Sequence, residues 1–313
     1  MRYYYAPLEG ITDATFRRLH HKYFPGVDKY FMPFISPTIH RCLTHREARE
    51  LPRSDSMGFC AVPQLLGKNV EDMLWAIEVC RDLGYDEVNI NLGCPSGTVV
   101  SKGKGSGMLA DVYALDGFLE AIYAKAVLPV SLKTRIGVND SESWGKILEI
   151  YREYPVKELT VHPRIRKAFY KGECDMEAFS MAVEGSPFPV CYNGNVNSVE
   201  DAARIAEGFP SVESMMIGRG LVADPGMLCG GTDRETLKAF LNELSDTYCV
   251  VFESKRNAIY RMKDNWHYLI ALFEGSERHW KELRKTTDYD RFMSIANEII
   301  AELPMRERAE VSW

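Results

Sequence analysis

Glu87-Val88-Asn89-Ile90-Asn91-Leu92-Gly93-Cys94-Pro95-Ser96-Gly97 is a strand-like run that ends in a thiol-bearing turn. Pro95 lacks an N–H and has a fixed φ, and Gly93 tolerates unusual dihedrals, so Cys94 is flanked by residues that direct backbone more than they pack. A helix-like segment follows. Cys94 is therefore expected on a loop at a strand's C-terminal end, where α/β folds carry their chemistry.

On both sides of this turn, short β-rich runs alternate with helical ones from the first residue to about Gly220. The strands are expected at Arg2–Ala6, Asp28–Met32, Phe59–Leu65, Glu87–Asn91, Val130–Thr134, Glu158–Val161, Val190–Tyr192 and Ser214–Ile217. Eight strands of this kind close a TIM (β/α)8 barrel. Thr12 or Asp13 can cap a helix over Ala14–Tyr23, Asn69 one over Val70–Leu83, Ser141 one running to Tyr154, and Ser198 one over Val199–Glu207. In the second of these, Val70, Met73, Leu74 and Ile77 are spaced to line one apolar face.

Beyond Gly230-Gly231-Thr232-Asp233 only helical periodicity remains, in segments at Arg234–Phe252, Ser254–Phe273, Ser276–Arg284 and Asp288–Leu303. The fold class is thus α/β, with a barrel domain over residues 1–231 and a small all-α domain over residues 232–313.

The composition, 46% hydrophobic and 26% charged, is that of an ordinary globular protein. No apolar run has the length of a membrane span and no signal-peptide pattern opens the chain, so a cytoplasmic protein is expected. Eight cysteines stand singly, without paired spacings or clustered histidines, which argues against a disulfide framework or a structural metal site. A formal charge of −6 excludes a uniformly basic surface and leaves room for a local basic track.

Seven strand ends carry polar or glycine residues: Ala6-Pro7-Leu8-Glu9-Gly10, Pro63-Gln64-Leu65, Asn91 to Cys94, Lys133-Thr134-Arg135, His162-Pro163-Arg164, Asn193-Gly194-Asn195 and Gly218-Arg219-Gly220. In a barrel these ends meet at one mouth. The last two follow the seventh and eighth strands, where barrels commonly bind phosphate, and Arg219 can pair with it bidentately. Two rival phosphate motifs fail. Gly97–Gly105 has one residue too many before its Gly-Lys and lacks the following Ser or Thr of a P-loop. Gly103–Met108 lacks the last glycine of a dinucleotide fingerprint.

Together these segments resemble the tRNA-dihydrouridine synthase family. The likeness rests on Ala-Pro-Leu-Glu-Gly-Ile-Thr-Asp at 6–13, Pro-Gln-Leu-Leu-Gly at 63–67, Asn-Leu-Gly-Cys-Pro-Ser at 91–96 with Gly-Ser-Gly-Met-Leu at 105–109, Lys-Thr-Arg-Ile-Gly at 133–137, His-Pro-Arg at 162–164, Tyr-Asn-Gly-Asn at 192–195 and Met-Ile-Gly-Arg-Gly at 216–220. The resemblance implies FMN at the barrel mouth, reduced by NADPH and used to reduce the C5–C6 bond of a uridine in tRNA. It implies Pro7 and Leu8 against the isoalloxazine and Gln64, Lys133 and His162 at its polar edge. Asn193, Gly194, Asn195, Gly218 and Arg219 would hold the phosphate, Cys94 would be the acid, and Asn91, Arg135, Arg164 and Arg166 would lie on the substrate side. The glycines after Cys94 then read as a flexible flap. Pro163 stands where the family usually has Gly, and it stiffens the loop carrying Arg164 and Arg166.

The expected partner is tRNA, with no DNA or membrane, and a monomer is expected. Basic and aromatic residues suited to an RNA backbone are Arg164, Arg166, Lys167, Tyr170 and Lys171 on one loop, Lys102 and Lys104 beside Cys94, and Lys255, Arg256, Arg261, Lys263, Lys281, Arg284, Lys285 and Arg291 among the helices. Tyr260, Trp266, Tyr268 and Trp280 read as core. Two rivals are a dihydroorotate-dehydrogenase-like FMN barrel acting on a free pyrimidine and a non-catalytic tRNA-binding protein.

Overall fold

A computed structural model describes residues 1–311. Its nine strands are β1 (Arg2–Tyr5), β2 (Lys29–Phe31), β3 (Ala61–Val62), β4 (Gln64–Leu65), β5 (Val88–Leu92), β6 (Val130–Arg135), β7 (Leu159–His162), β8 (Val190–Tyr192) and β9 (Ser214–Ile217), all parallel. The order β3-β2-β1-β9-β8-β7-β6-β5-β4 begins and ends on two pieces separated only by Pro63. The expected third strand is therefore present but split, because Pro63 has no N–H to give the ladder. A lone bridge from Ile35 to Leu65 continues the pairing past the break, and the sheet closes as a barrel.

Helices α1 (Ala14–Tyr23), α2 (His45–Glu50), α3 (Val70–Asp82), α4 (Gly97–Val100), α5 (Val112–Tyr123), α6 (Trp144–Arg152), α7 (Met176–Gly185), α8 (Val199–Gly208) and α9 (Arg219–Ala223) connect the strands. Asp13, not Thr12, caps α1 by accepting the Phe16 N–H, and Asn69 and Ser198 cap α3 and α8 as expected. Two expectations need correcting. Helix α6 starts at Trp144, because Ser141 lends its carbonyl to a turn closed by the Trp144 N–H instead of acting as a cap. Helix α3 buries Met73, Ala76, Ile77 and Cys80, and leaves Val70 and Leu74 half-exposed at the edge of that face.

Side chains alternate along the strands. On β5, Val88, Ile90 and Leu92 face the helices while Asn89 and Asn91 face the barrel interior, and on β6 Ser131, Lys133 and Arg135 do the same. The barrel floor is closed by ion pairs of Glu87 with Lys29 (2.9 Å) and Lys157 (2.8 Å), and by Tyr4 and Ser214 donating to Glu158. Above the floor, Tyr4, Ala6, Phe31, Val62, Cys191 and Met216 form a small apolar plug. The open end carries the polar strand ends.

Helices α10 (Arg234–Val251), α11 (Lys255–Leu269), α12 (Glu277–Leu283) and α13 (Tyr289–Glu302) follow, capped by Asp233, Ser254 and Asp288 at three of their starts. Phe240 of α10 meets Phe16 of α1 and Phe24 just past its end edge-on, at 5.7 and 5.3 Å between ring centroids, and the apolar core runs unbroken from barrel to helices. Trp266 is core, as expected. Tyr260 is not: the buried face of α11 is Ala258, Ile259, Met262, Asn265, Trp266 and Leu269, and Tyr260 projects from the other side between Arg256 and Lys263. No helix among the described residues is long and apolar enough to cross a membrane.

Candidate active site

The strand ends enclose one cleft at the open end of the barrel. Pro7, Leu8, Gln64, Asn91, Cys94, Lys133, Arg135, His162, Asn193, Gly194, Gly218 and Arg219 all line it. Strand register explains the convergence: Asn91 pairs with Lys133 and Arg135 with His162 on adjacent strands, so their side chains emerge at two successive levels of the barrel mouth.

Cys94 is held by its neighbours' backbone. The Asn91 carboxamide oxygen accepts from the N–H groups of Gly93 (3.0 Å) and Cys94 (2.8 Å), while its nitrogen donates to Gln64 Oε1 (2.7 Å). Gln64 in turn donates to Asn89, and the chain of amides ends at Ser131. Asn91 thus ties the thiol turn to the barrel interior. On the other side the Ser106 hydroxyl donates to the Cys94 carbonyl at 2.8 Å. The glycine run is therefore packed, contrary to the flap expectation: Gly105, Ser106, Met108 and Leu109 are buried, and a Cβ on Gly105 would lie 3.0 Å from that of Cys94. Burial pushes the half-buried Cys94 thiol up from its ordinary pKa, with the nearby Arg135 and Lys133 only partly offsetting it, so it keeps its proton at neutral pH.

Lys133 donates to Asn193 Oδ1 at 2.6 Å, and Asn193 donates to the Met216 carbonyl. Burial, with Arg135 nearby, brings the Lys133 ammonium down to about 8. Arg135 is fully buried and bridges two loops, donating from Nε to the Gly93 carbonyl and from Nη1 to the Ile165 carbonyl.

His162 is held well below its usual pKa by burial, and the guanidinium of Arg135 and ammonium of Lys133 add to the effect. Arg164 Nη1 lies 3.0 Å from His162 Nε2. A guanidinium only donates, so Nε2 accepts and the ring's hydrogen sits on Nδ1. Arg164 does not line the cleft. The Arg164 N–H bonds the His162 carbonyl across Pro163 at 2.7 Å, a tight reversal that folds the side chain back behind the imidazole, toward Asn195 and the Gly172 carbonyl. Arg166 sits at the rim, donating to the Pro95 carbonyl.

Asn195 also lies outside the cleft wall, its oxygen accepting from Arg219 at 3.2 Å. Residues not anticipated as cleft lining are Phe34, beyond the end of β2, and Tyr170, while Glu9, one of the strand-end residues, lines it paired with Arg46. The Tyr170 ring lies against the Arg219 and Arg135 guanidiniums at 4.8 and 5.4 Å and beside His162. Phe34 follows a strand end like the others, Met32-Pro33-Phe34, and that position was the available signal. Tyr170 lies eight residues along a loop whose path is not local. Besides Arg164 and Arg166, five of the basic residues expected to meet RNA are engaged within the protein: Arg261 with Gly10, Lys263 with the Thr286 carbonyl, Lys255 with Asp290, Arg256 with the Tyr260 hydroxyl and Arg291 with Glu282.

Three cations (Lys133, Arg135, Arg219) and the neutral His162 line the cleft, against one carboxylate, Glu9, that already has a partner. Ala6, Pro7 and Leu8 supply an apolar wall, and at Gly218 a Cβ would close to 3.3 Å on Ala6. This donor set suits a flat, acceptor-rich, anionic ligand, and FMN is of that kind.

The chain matches the family model for dihydrouridine synthases over residues 4–303. The tRNA-dihydrouridine synthase B of Pasteurella multocida (strain Pm70) is 28% identical over 225 residues, covering 72% of this chain and 67% of that protein. A probable tRNA-dihydrouridine synthase of Rhizobium leguminosarum bv. phaseoli is 30% identical over 233 residues, covering 73% and 72%. Among solved structures, a variant of NCR from Zymomonas mobilis superposes with a TM-score of 0.50 over 72% of this chain and 83% of its own, at 13% identity, a likeness of barrel fold alone. Since the family match runs from within β1 to just past α13, barrel and helices alike fall inside it, and the chain belongs to the dihydrouridine synthase family.

Proposed function

We propose that this chain reduces the C5–C6 double bond of a uridine in tRNA to give dihydrouridine. The observation that carries the reading is one cleft that gathers a protonated thiol, a buried ammonium, a neutral imidazole and a guanidinium, in a chain whose family match spans barrel and helices. FMN, reduced by NADPH, supplies the hydride that adds to C6.

Pro7 and Leu8 would flank the flavin ring, and Gln64, Lys133 and His162 would bond its polar edge, with Asn193, Gly194, Gly218 and Arg219 at the phosphate and Asn195 acting through Arg219. The Lys133 ammonium stabilises negative charge at that edge, and His162 offers a fixed N–H. Cys94 passes its proton to C5 as C6 accepts hydride, and the thiolate regains a proton from solvent, so the double bond is saturated and the thiol restored. Asn91 orients the thiol turn. Arg135 and Arg166 face the substrate, while Arg164 acts through His162.

A uridine stacked in folded tRNA must be drawn out to enter this cleft. Residues 232–313 form the recognition domain that grips the RNA backbone, and the enzyme works as a cytoplasmic monomer that needs no DNA or membrane. Purified protein loaded with FMN and supplied with NADPH should form dihydrouridine in tRNA lacking it. A protein that binds FMN yet reduces only free pyrimidines would overturn the reading. Mapping dihydrouridine in tRNA from a deletion strain, with and without the gene restored, identifies the position.

A further inference from the structure

Arg261 stands on α11, yet its guanidinium reaches the loop between β1 and α1. Nη1 donates to the Gly10 carbonyl, 251 residues away in sequence, and Nε lies 3.7 Å from Asp13 Oδ2. Gly10 has φ +79°, and a Cβ there would stand 2.9 Å from Arg261 Nη1, so the backbone is shaped to the guanidinium. A second helix joins in: the buried Tyr248 hydroxyl of α10 donates to Asp13 Oδ1 at 3.1 Å, the same oxygen that caps α1. Two turns along α11, on the same face, Tyr268 comes within electrostatic reach of Arg219.

The segment just before these anchors carries the cleft wall. Pro7, Leu8 and Glu9 precede Gly10, and the loop is held by the N–H of Leu8 on the Thr12 hydroxyl (2.9 Å) and the N–H groups of Ile11 and Thr12 on the Leu8 carbonyl (3.0 Å each). We propose that Arg261 is a positioning residue for the active site: α11 clamps the Pro7–Thr12 loop through it, so cofactor retention, not only RNA affinity, depends on the helical region. The inference rests on the flavin reading of the cleft. An RNA-phosphate role fits Arg261 less well, since its charge is already met by Asp13 and by Asp264 at 3.8 Å.

The test uses the full chain with Arg261→Ala and Arg261→Lys. Arg261→Ala should raise the FMN Kd about fivefold or more and speed hydrogen exchange of the Leu8, Ile11 and Thr12 amides about tenfold, with the KM for tRNA within about twofold. Arg261→Lys should fail to restore either, because lysine keeps the charge and loses the planar fork. An FMN Kd and amide exchange within about twofold of wild type would overturn the proposal, as would a raised KM that lysine rescues. Should Arg261→Ala not fold, Tyr248→Phe decides: a shift of Kd and exchange in the same direction supports the clamp, and no shift sinks it. If wild-type protein binds no FMN at all, the flavin reading fails and exchange at the three amides alone judges the clamp.

Discussion

Arg164 donates to Nε2 of His162 at 3.0 Å from behind, so the residue expected to face RNA sets the tautomer of a cleft histidine. The imidazole is buried among cations and is held neutral well below its usual pKa. The unfolded chain takes up a proton near pH 6.5 and the folded one does not, so His162 makes stability fall as pH drops through about 6.5. Nitrogen-15 NMR should show the Nδ1–H tautomer persisting as pH falls through about 6.5, the ordinary histidine value. An imidazolium signal at pH 6 would contradict this geometry.

Cys94→Ala should keep FMN and lose roughly 100-fold or more of uridine reduction, the scale of a general acid. The side chain's carbonyl and N–H anchors are backbone groups that alanine preserves. Turnover on tRNA with FMN occupancy gives the comparison, and unchanged turnover refutes the acid role.

Arg219→Ala should weaken FMN binding about tenfold to 100-fold, as for loss of a charge-assisted pair. The guanidinium is oriented by Asn195 and by the Tyr170 ring, so Arg219→Lys should recover only part of the affinity. Fluorescence titration of FMN measures both; affinity equal to wild type in the alanine variant removes Arg219 from the phosphate site.

Lys133 loses its proton near pH 8 because burial disfavours its charge. An anionic flavin edge restores the charged form, so binding takes up a proton and FMN affinity should fall as pH rises above about 8, by up to tenfold per unit. Lys133→Met should bind FMN more weakly and with a flat profile between pH 7 and about 10. A wild-type profile equally flat would show that Lys133 stays charged without the ligand.

Gly105→Ala should disturb the thiol turn rather than the cofactor. The residue has φ +57°, and its added Cβ would crowd Cys94 Cβ at 3.0 Å and the Cys94 carbonyl at 3.1 Å. A stability loss of about 1 kcal/mol or more is expected with reduced kcat and near-normal FMN binding. Thermal unfolding and steady-state rates check it, and a fully active variant would mean that the turn's exact seat is unimportant.

The sequence by itself determined what is local. Period-two alternation, turn glycines and capping residues act within a few positions, so eight strands, the four C-terminal helices and the level of the cleft residues were legible from Ala6 to Leu303. Even the departures at Pro63 and Ser141 are changes of boundary, where one missing N–H or one competing carbonyl decides. Only the tertiary structure decided where loop side chains end up. Arg164 turns inward because Pro163 reverses the chain, Tyr170 enters the cleft because a loop returns across it, and Arg261 meets Gly10 because α10 and α11 pack on the barrel. Those positions follow from contacts between segments far apart in the chain, which no local periodicity records.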